Sequence, residues 1–158
     1  MVDVVQKVDG APDVAAKWGY EVAERGFTQV PHYLMFLNQF VDEGHRLTPV
    51  ELLLLIQLVS VWWRKEEQPY PSMATLAVRC GVSERQVQRS VARLEKLNLL
   101  KRVKRRTSGI ISSNAYDLTP LVEFLVKVSE IYPNAFPRQI ARGKLKLPKD
   151  SLSPVEGT

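Results

Sequence analysis

The stretch Pro71–Arg106, "PSMATLAVRCGVSERQVQRSVARLEKLNLLKRVKRR", contains the features on which the fold prediction depends. Ser72 precedes a short segment of helical periodicity that Gly81 ends, and Ser83 precedes a longer one. A serine before a helix accepts a hydrogen bond from a free backbone N–H, and a glycine after a helix adopts the left-handed conformation. The stretch therefore predicts two helices joined by a tight turn.

The apolar positions of the two helices predict how they pack. In the second helix Val87, Val91 and Leu94 recur at intervals of four and three residues, so they share one face. Ala77 in the first helix is small enough to let the second helix cross closely. The other apolar residues of this small core are Leu76, Cys80, Val82 and Leu97. Together with the serine caps, the set predicts a helix-turn-helix unit, with Asn98 as a left-handed stop.

The opposite face of the second helix is polar and poor in acids. It collects Glu84, Arg85, Gln86, Gln88, Arg89, Ala92 and Arg93. Arginine can bond O6 and N7 of guanine together, and glutamine can bond N6 and N7 of adenine. A face that is only solvated would more often mix lysine with glutamate, so this one indicates contact with bases in a DNA groove. Ser72 and Ser83, at the helix starts, are candidate phosphate contacts.

A basic run follows the second helix directly. Its members are Lys101, Arg102, Lys104, Arg105 and Arg106. The segments "LLKRVKR" and "SNAYDLT" have strand-like composition, and Gly109 lies between them, so a hairpin is predicted. Basic residues on a surface strand are commonly solvated or protect an exposed edge. Directly after a recognition helix, the alternative is a wing that contacts the minor groove or flanking phosphates.

Further helices are predicted on both sides of this region. One runs through "HYLMFLNQFV" after Pro31, with an aromatic stripe that indicates core packing. Thr48-Pro49-Val50-Glu51 forms a capping box and opens a buried helix that extends to about Trp63. Another helix begins at Thr119-Pro120. The predicted organisation is a flexible arm (1–25), a domain with flanking helices (26–132), and a basic, disordered tail (133–158).

Positive charge is concentrated around the two helices and the hairpin. The chain of 158 residues carries a formal net charge of +5. Between Arg79 and Arg106 there are ten basic side chains and two acidic ones. A local excess of positive charge is the electrostatic footprint expected for a polyanionic partner. The charge distribution therefore favours double-stranded DNA as the partner.

Composition predicts a globular protein of a reducing compartment, without a membrane partner. It is 45% hydrophobic and 25% charged, which is typical of a globular chain. The single cysteine, Cys80, cannot form an internal disulfide, so a cytoplasmic location is expected. The most apolar stretch, Pro49–Trp63, is shorter than the ~20 residues that span a bilayer. No signal peptide is expected at the N-terminus.

Nothing in the sequence indicates catalysis or a cofactor. His32 and His45 have no carboxylate or cysteine at metal-ligand spacing. Cys80 is predicted to be buried between the two helices, which argues against a nucleophilic role. There is no phosphate-cradling glycine loop, so no nucleotide is expected. No cofactor, metal or other small-molecule ligand is evident from the sequence. We expect a binding protein that is not an enzyme.

The quoted stretch resembles the winged helix-turn-helix domains of phage, plasmid and other mobile-element proteins. Their pattern is Pro-Ser-x-x-x-Leu-Ala, then Gly-x-Ser-x-Arg-x-Val-x-Arg, then Leu-Glu-x-x-Gly-Leu. The matching residues are Pro71, Ser72, Leu76, Ala77, Gly81, Ser83, Val87, Arg89, Leu94, Glu95 and Leu99. The resemblance covers about Gly26–Leu125. Gln86 stands where threonine is frequent, so the base preference of the family does not transfer. The family's arginine before that site is matched only by Arg85, and Asn98 replaces the usual glycine, which is physically harmless.

The resemblance implies DNA binding by repressors or replication initiators. We expect a transcriptional repressor acting as a homodimer, since one recognition helix reads only a few base pairs. The predicted dimer contacts are Phe124, Leu125 and Val122, or the aromatic helix after Pro31. The alternatives are a replication-initiation or partition factor that binds repeated sites, and a protein-interaction module. Single-strand binding is disfavoured because the aromatic residues are not interleaved with the basic run.

Overall fold

The computed structural model describes residues 14–111, 113–140 and 143–147. Its elements are α1 (Val14–Trp18), α2 (Tyr20–Ala23), α3 (His32–Met35), α4 (Leu37–Phe40), a 3-10 turn (Glu43–His45), α5 (Pro49–Ser60), α6 (Met73–Cys80), α7 (Glu84–Lys96), β1 (Lys101–Val103), β2 (Arg106–Thr107), β3 (Ile110–Ile111), β4 (Ala115–Asp117) and α8 (Thr119–Ile131). Helices α5, α6 and α7 pack on one another, and α8 packs on α3. The fold is mainly helical with a small hairpin after α7. This confirms the predicted winged helix-turn-helix.

The predicted caps set the starts of the three central helices. The hydroxyls of Thr48, Ser72 and Ser83 each accept a hydrogen bond from the backbone N–H three residues on, at 3.2, 3.1 and 3.1 Å. Gly81 ends α6 in the left-handed conformation, with φ of 69°. Asn98 follows α7 with φ of 54°, which confirms it as the left-handed stop. These local signals place α6 and α7 as the sequence predicted.

The hairpin consists of two antiparallel segments. Strands β1 and β4 pair in a register that places Arg102 opposite Tyr116. Strands β2 and β3 form the tip, closed by Ser108 and Gly109 with φ of 52° and 77°. Positive φ at both central residues is what a tight two-residue hairpin turn requires. The predicted hairpin, with Gly109 in its turn, is therefore confirmed.

The core lies between the three central helices, the base of the hairpin and α8. Leu54, Leu55 and Leu58 of α5 are fully buried, and so are Val87, Val91 and Leu94 of α7. Tyr116 of β4 and Phe124 of α8 close the core from the other side. Side chains of the predicted aromatic stripe, Leu37 and Phe40, belong to the same cluster, which confirms their assignment to the core.

Three predicted features differ in the structure. The helix after Pro31 is interrupted at Phe36 and becomes the short helices α3 and α4. Helix α5 ends at Ser60, and Trp63 is 79% exposed, so the end predicted for the buried helix was wrong. Phe124 was predicted as a dimer contact but is buried in the core, because it lies on the inner face of α8.

The two ends of the chain carry more structure than predicted. The predicted arm, residues 1–25, includes the short helices α1 and α2, while residues 1–13 lie outside the described part. In the predicted disordered tail, residues 143–147 pack on the domain: Leu147 is buried, and Leu145 bridges to Val41. The prediction of disorder was wrong for this segment, because its leucines cover Phe40 and Val41. The domain boundaries otherwise stay predictions.

Replacing Gly143 with alanine tests whether this segment is docked in solution. A Cβ at Gly143 would overlap with the backbone carbonyl of Phe40, so the segment must move. We expect Gly143→Ala to lower the free energy of unfolding by about 1–3 kcal/mol, measured by urea denaturation. Gly44→Ala is the matched control, since its Cβ would be 3.8 Å from the nearest atom. Equal stability of the two variants would contradict the docking.

Candidate nucleic-acid interface

One face of α7 is exposed along its whole length and carries no acid. An α-helix advances 100° per residue, so the face opposite Val87, Val91 and Leu94 is defined by the sequence. It consists of the exposed residues Arg85, Gln88, Arg89, Ala92 and Lys96. Glu84 is exposed at the helix start. The structure therefore brings together three of the predicted base-contacting residues, Arg85, Gln88 and Arg89.

Lys96 belongs to this face and was missed by the sequence-based prediction. It lies two turns after Arg89 and three turns after Arg85, so helical periodicity alone could have found it. It extends the positive face to the last residue of α7.

Arg93 was predicted to contact DNA, and the structure gives its guanidinium group an internal partner. It forms an ion pair with Glu51, which is 4% exposed, and donates to the carbonyl oxygen of Arg46 at 3.2 Å from both terminal nitrogens. Glu51 was predicted to complete the capping box, but its carboxylate pairs with Arg93. Because a buried carboxylate needs a cationic partner, Arg93 is assigned to holding α7 on α5.

The remaining polar residues at the helix starts are partly engaged. The Gln86 amide donates to the Ser90 hydroxyl at 3.3 Å and lies at the edge of the exposed face. The Ser83 hydroxyl accepts from the Gln86 backbone N–H. The Ser72 hydroxyl both accepts from the backbone of Thr75 and donates to its side chain at 3.0 Å. Ser83 thus remains the better candidate for a phosphate contact.

The cations of the hairpin divide into exposed and internally bound groups. Lys101, Lys104 and Arg106 are exposed. Arg102 binds Glu95 of α7 through its guanidinium, at 3.0 and 3.2 Å, and through its backbone N–H at 3.0 Å. Hydrogen bonds from Arg102 hold the pKa of Glu95 below its ordinary value. Arg102, predicted to contact DNA, therefore fixes the hairpin to α7.

Arg105 lies over the ring of Tyr70, with its guanidinium carbon 3.8 Å from the ring centre. The distance is well within the range of a cation–π interaction. Tyr70 precedes α6 and is far from Arg105 in the sequence, so no local pattern could have found the contact. The fold thus places an aromatic side chain next to the basic run, where the sequence showed none.

Other kinds of site find little support in the described part of the chain. No cluster of three or more histidine, cysteine or acidic residues there could hold a metal ion. No described helix is both long and apolar enough to cross a membrane. Cys80, predicted to be buried, is only partly so, and its burial raises the pKa of the thiol. The expected cytoplasmic location and absence of catalysis stay predictions.

Comparison with known proteins agrees with this architecture. Residues 45–100 match the family model of a helix-turn-helix domain. The matched range covers α5, α6 and α7, which is roughly a third of the chain, and ends where the hairpin begins. None of the curated proteins matches the sequence. The match and the exposed basic face indicate that the chain binds DNA.

The structural assignment of Arg93 predicts a contrast between two arginines of the same helix. Arg93→Ala leaves Glu51 buried without its partner, and we expect the free energy of unfolding to fall by about 1–3 kcal/mol. Arg89→Ala, on the exposed face, should change it by less than ~0.5 kcal/mol. Both are measured by urea denaturation. Adding Glu51→Gln to Arg93→Ala should restore part of the loss, and equal effects of the two arginine variants would contradict the assignment.

Proposed function

We propose that the protein recognises a specific sequence of double-stranded DNA, as a transcriptional repressor acting as a homodimer. The observation that supports this most is the exposed face of α7, where Arg85, Gln88 and Arg89 lie together without an acid among them. Arginine and glutamine are the side chains that bond guanine and adenine through two atoms at once. A face that only bound phosphates would not need an exposed glutamine beside its arginines.

The structure supports a division between base contacts and phosphate contacts. Arg85, Gln88 and Arg89 are in the first half of α7, the part of a recognition helix that enters the major groove. Lys101, Lys104 and Arg106 are on the hairpin beside it. Exposed cations at the side of a recognition helix suit the flanking phosphates or the adjacent minor groove. We therefore assign sequence reading to α7 and sequence-independent affinity to the hairpin.

Helix α8 offers a surface for the second copy. Phe124 is buried and Leu125 is partly buried, so neither is fully available. Val122 and Val126 lie one helical turn apart and are 39% and 51% exposed. Exposed valines four residues apart form a strip that another helix can cover. We propose that this strip, on the flank of α8 beside the core, packs against its equivalent in a homodimer.

The test of function is selection from a random double-stranded DNA library at physiological salt, with the bound fraction sequenced. We expect an enriched palindrome with half-sites about one helical turn apart. Arg89→Ala should lose sequence preference at one position in each half-site and weaken cognate binding by about 1–3 kcal/mol. Its effect on random DNA should be small.

Arg64→Ala is the matched control for Arg89→Ala, because Arg64 lies in the loop after α5, outside both α7 and the hairpin. It should bind like the unmodified protein. Enrichment of tandem direct copies would instead favour the replication or partition alternative. Binding without any enriched sequence would reject specific recognition and favour a purely electrostatic surface.

The proposed dimer surface is tested separately by charge insertion. Val126→Glu places a carboxylate in the strip, and burying it in a dimer would be strongly unfavourable. We expect sedimentation to give twice the 18.0 kDa of one chain for the unmodified protein and the single mass for Val126→Glu. Lys127→Glu, on the polar face of α8, is the control and should stay dimeric. A single mass for all three would contradict the α8 dimer.

A further inference from the structure

The contact between Arg105 and Tyr70 lies where the hairpin changes from one paired segment to the next. Strands β1 and β4 pair up to Val103, and pairing resumes at Arg106 in the tip. Residues 104 and 105 connect the two segments and belong to neither ladder. Hairpin segments joined by residues outside both ladders depend for their relative position on contacts other than the ladder hydrogen bonds. The stacking of Arg105 on Tyr70 is one such contact.

Tyr70 is held firmly enough to serve as an anchor. It stands between Pro69 and Pro71, and a residue before proline is restricted to extended conformations. The carbonyl oxygen of Pro69 accepts from the backbone N–H of Tyr116 at 2.9 Å, and that of Tyr70 accepts from the Ser113 hydroxyl at 3.3 Å. The backbone of this segment is thus fixed to β4.

The burial of the basic residues near the tip agrees with this role. Arg105 is half-buried, whereas Lys104 and Arg106 on either side of it are exposed. Tyr70 is 57% exposed, so its ring is covered in part and is not a core residue. A side chain that stacks on a fixed ring orients the backbone that carries it. The neighbouring cations are oriented with that backbone.

From this geometry we infer that Tyr70 is a positioning residue for DNA binding: by stacking on Arg105 it holds the hairpin tip so that Lys104 and Arg106 face the phosphates. The inference rests on the proposed function. It assigns a role to an aromatic residue outside α7 and outside the basic run. Tyr70 acts through Arg105, so its replacement should affect binding only while Arg105 is present.

The test is a double-mutant cycle on DNA affinity, measured by fluorescence anisotropy with cognate and random duplexes at several salt concentrations. Tyr70→Leu should weaken binding to both duplexes by about two- to fivefold, the range for an exposed cation–π contact. Tyr70→Phe keeps the ring and should bind like the unmodified protein. In the Arg105→Ala background, Tyr70→Leu should have no further effect.

The salt dependence identifies the contacts that are lost. A Lys104→Ala/Arg106→Ala variant should reduce the slope of log K against log salt by up to about 2, since each phosphate contributes roughly 0.9. Tyr70→Leu should move the slope from that of the unmodified protein toward that of the Lys104→Ala/Arg106→Ala variant. Trp63→Leu is the control, because it replaces another exposed aromatic side chain, one that does not lie on the hairpin. Thermal unfolding of all variants separates a loss of positioning from a loss of fold.

Each outcome decides a different point. If the unmodified protein binds no duplex, the proposed function fails and Tyr70 has no DNA-binding role. If it binds but Tyr70→Leu binds equally well, only the positioning role is rejected. A loss that persists in the Arg105→Ala background would show that Tyr70 acts independently of Arg105, and would overturn the inference as well.

Discussion

The ion pair between Glu51 and Arg93 is the interaction on which the position of the exposed face of α7 depends. It joins the first turn of α5 to the second half of α7, and the same guanidinium binds the carbonyl oxygen of Arg46. Apolar packing of leucine and valine permits small shifts of one helix along another. A buried carboxylate does not, because moving it away from its partner leaves an uncompensated charge. The pair thus favours one arrangement of α5 and α7.

Internal pairing separates the many cations of this region into two groups. Arg93, Arg102 and Arg105 bind Glu51, Glu95 and Tyr70. The first contact joins α7 to α5, the second joins β1 to α7, and the third joins the hairpin to the segment before α6. The other cations of this region lie on the exposed face of α7 and on the surface of the neighbouring hairpin. Both acids that pair with arginines have their charges offset by these contacts. Because Arg93 and Arg102 are paired, fewer cations of the region are free to contact a partner than its sequence implies.

Local signals explain what the sequence could predict. The caps at Ser72 and Ser83, the left-handed turn at Gly81 and the periodicity of Val87, Val91 and Leu94 depend on neighbouring residues only, and the structure confirms them. The roles of Arg93, Arg102 and Arg105 depend on partners brought close by folding. Because a solvent-facing arginine and a paired one have the same local pattern, sequence reasoning assigned all three to DNA. Lys96, in contrast, could have been predicted from helical periodicity alone.

The C-terminal segment shows that the contacts supporting α7 extend beyond the range of the helix-turn-helix match. The carbonyl oxygen of Leu145 accepts from the backbone N–H of Asp42 at 2.9 Å, and the Asp42 carboxylate binds the ring of His45, which lowers the pKa of Asp42. Arg46 follows immediately and binds Arg93. A continuous set of contacts therefore connects residues 143–147 to α7. The matched family range begins at residue 45, so residues 143–147 and the residues they cover, Phe40 and Val41, lie outside it. The segment is therefore an addition to the helix-turn-helix core, and its contacts support that core.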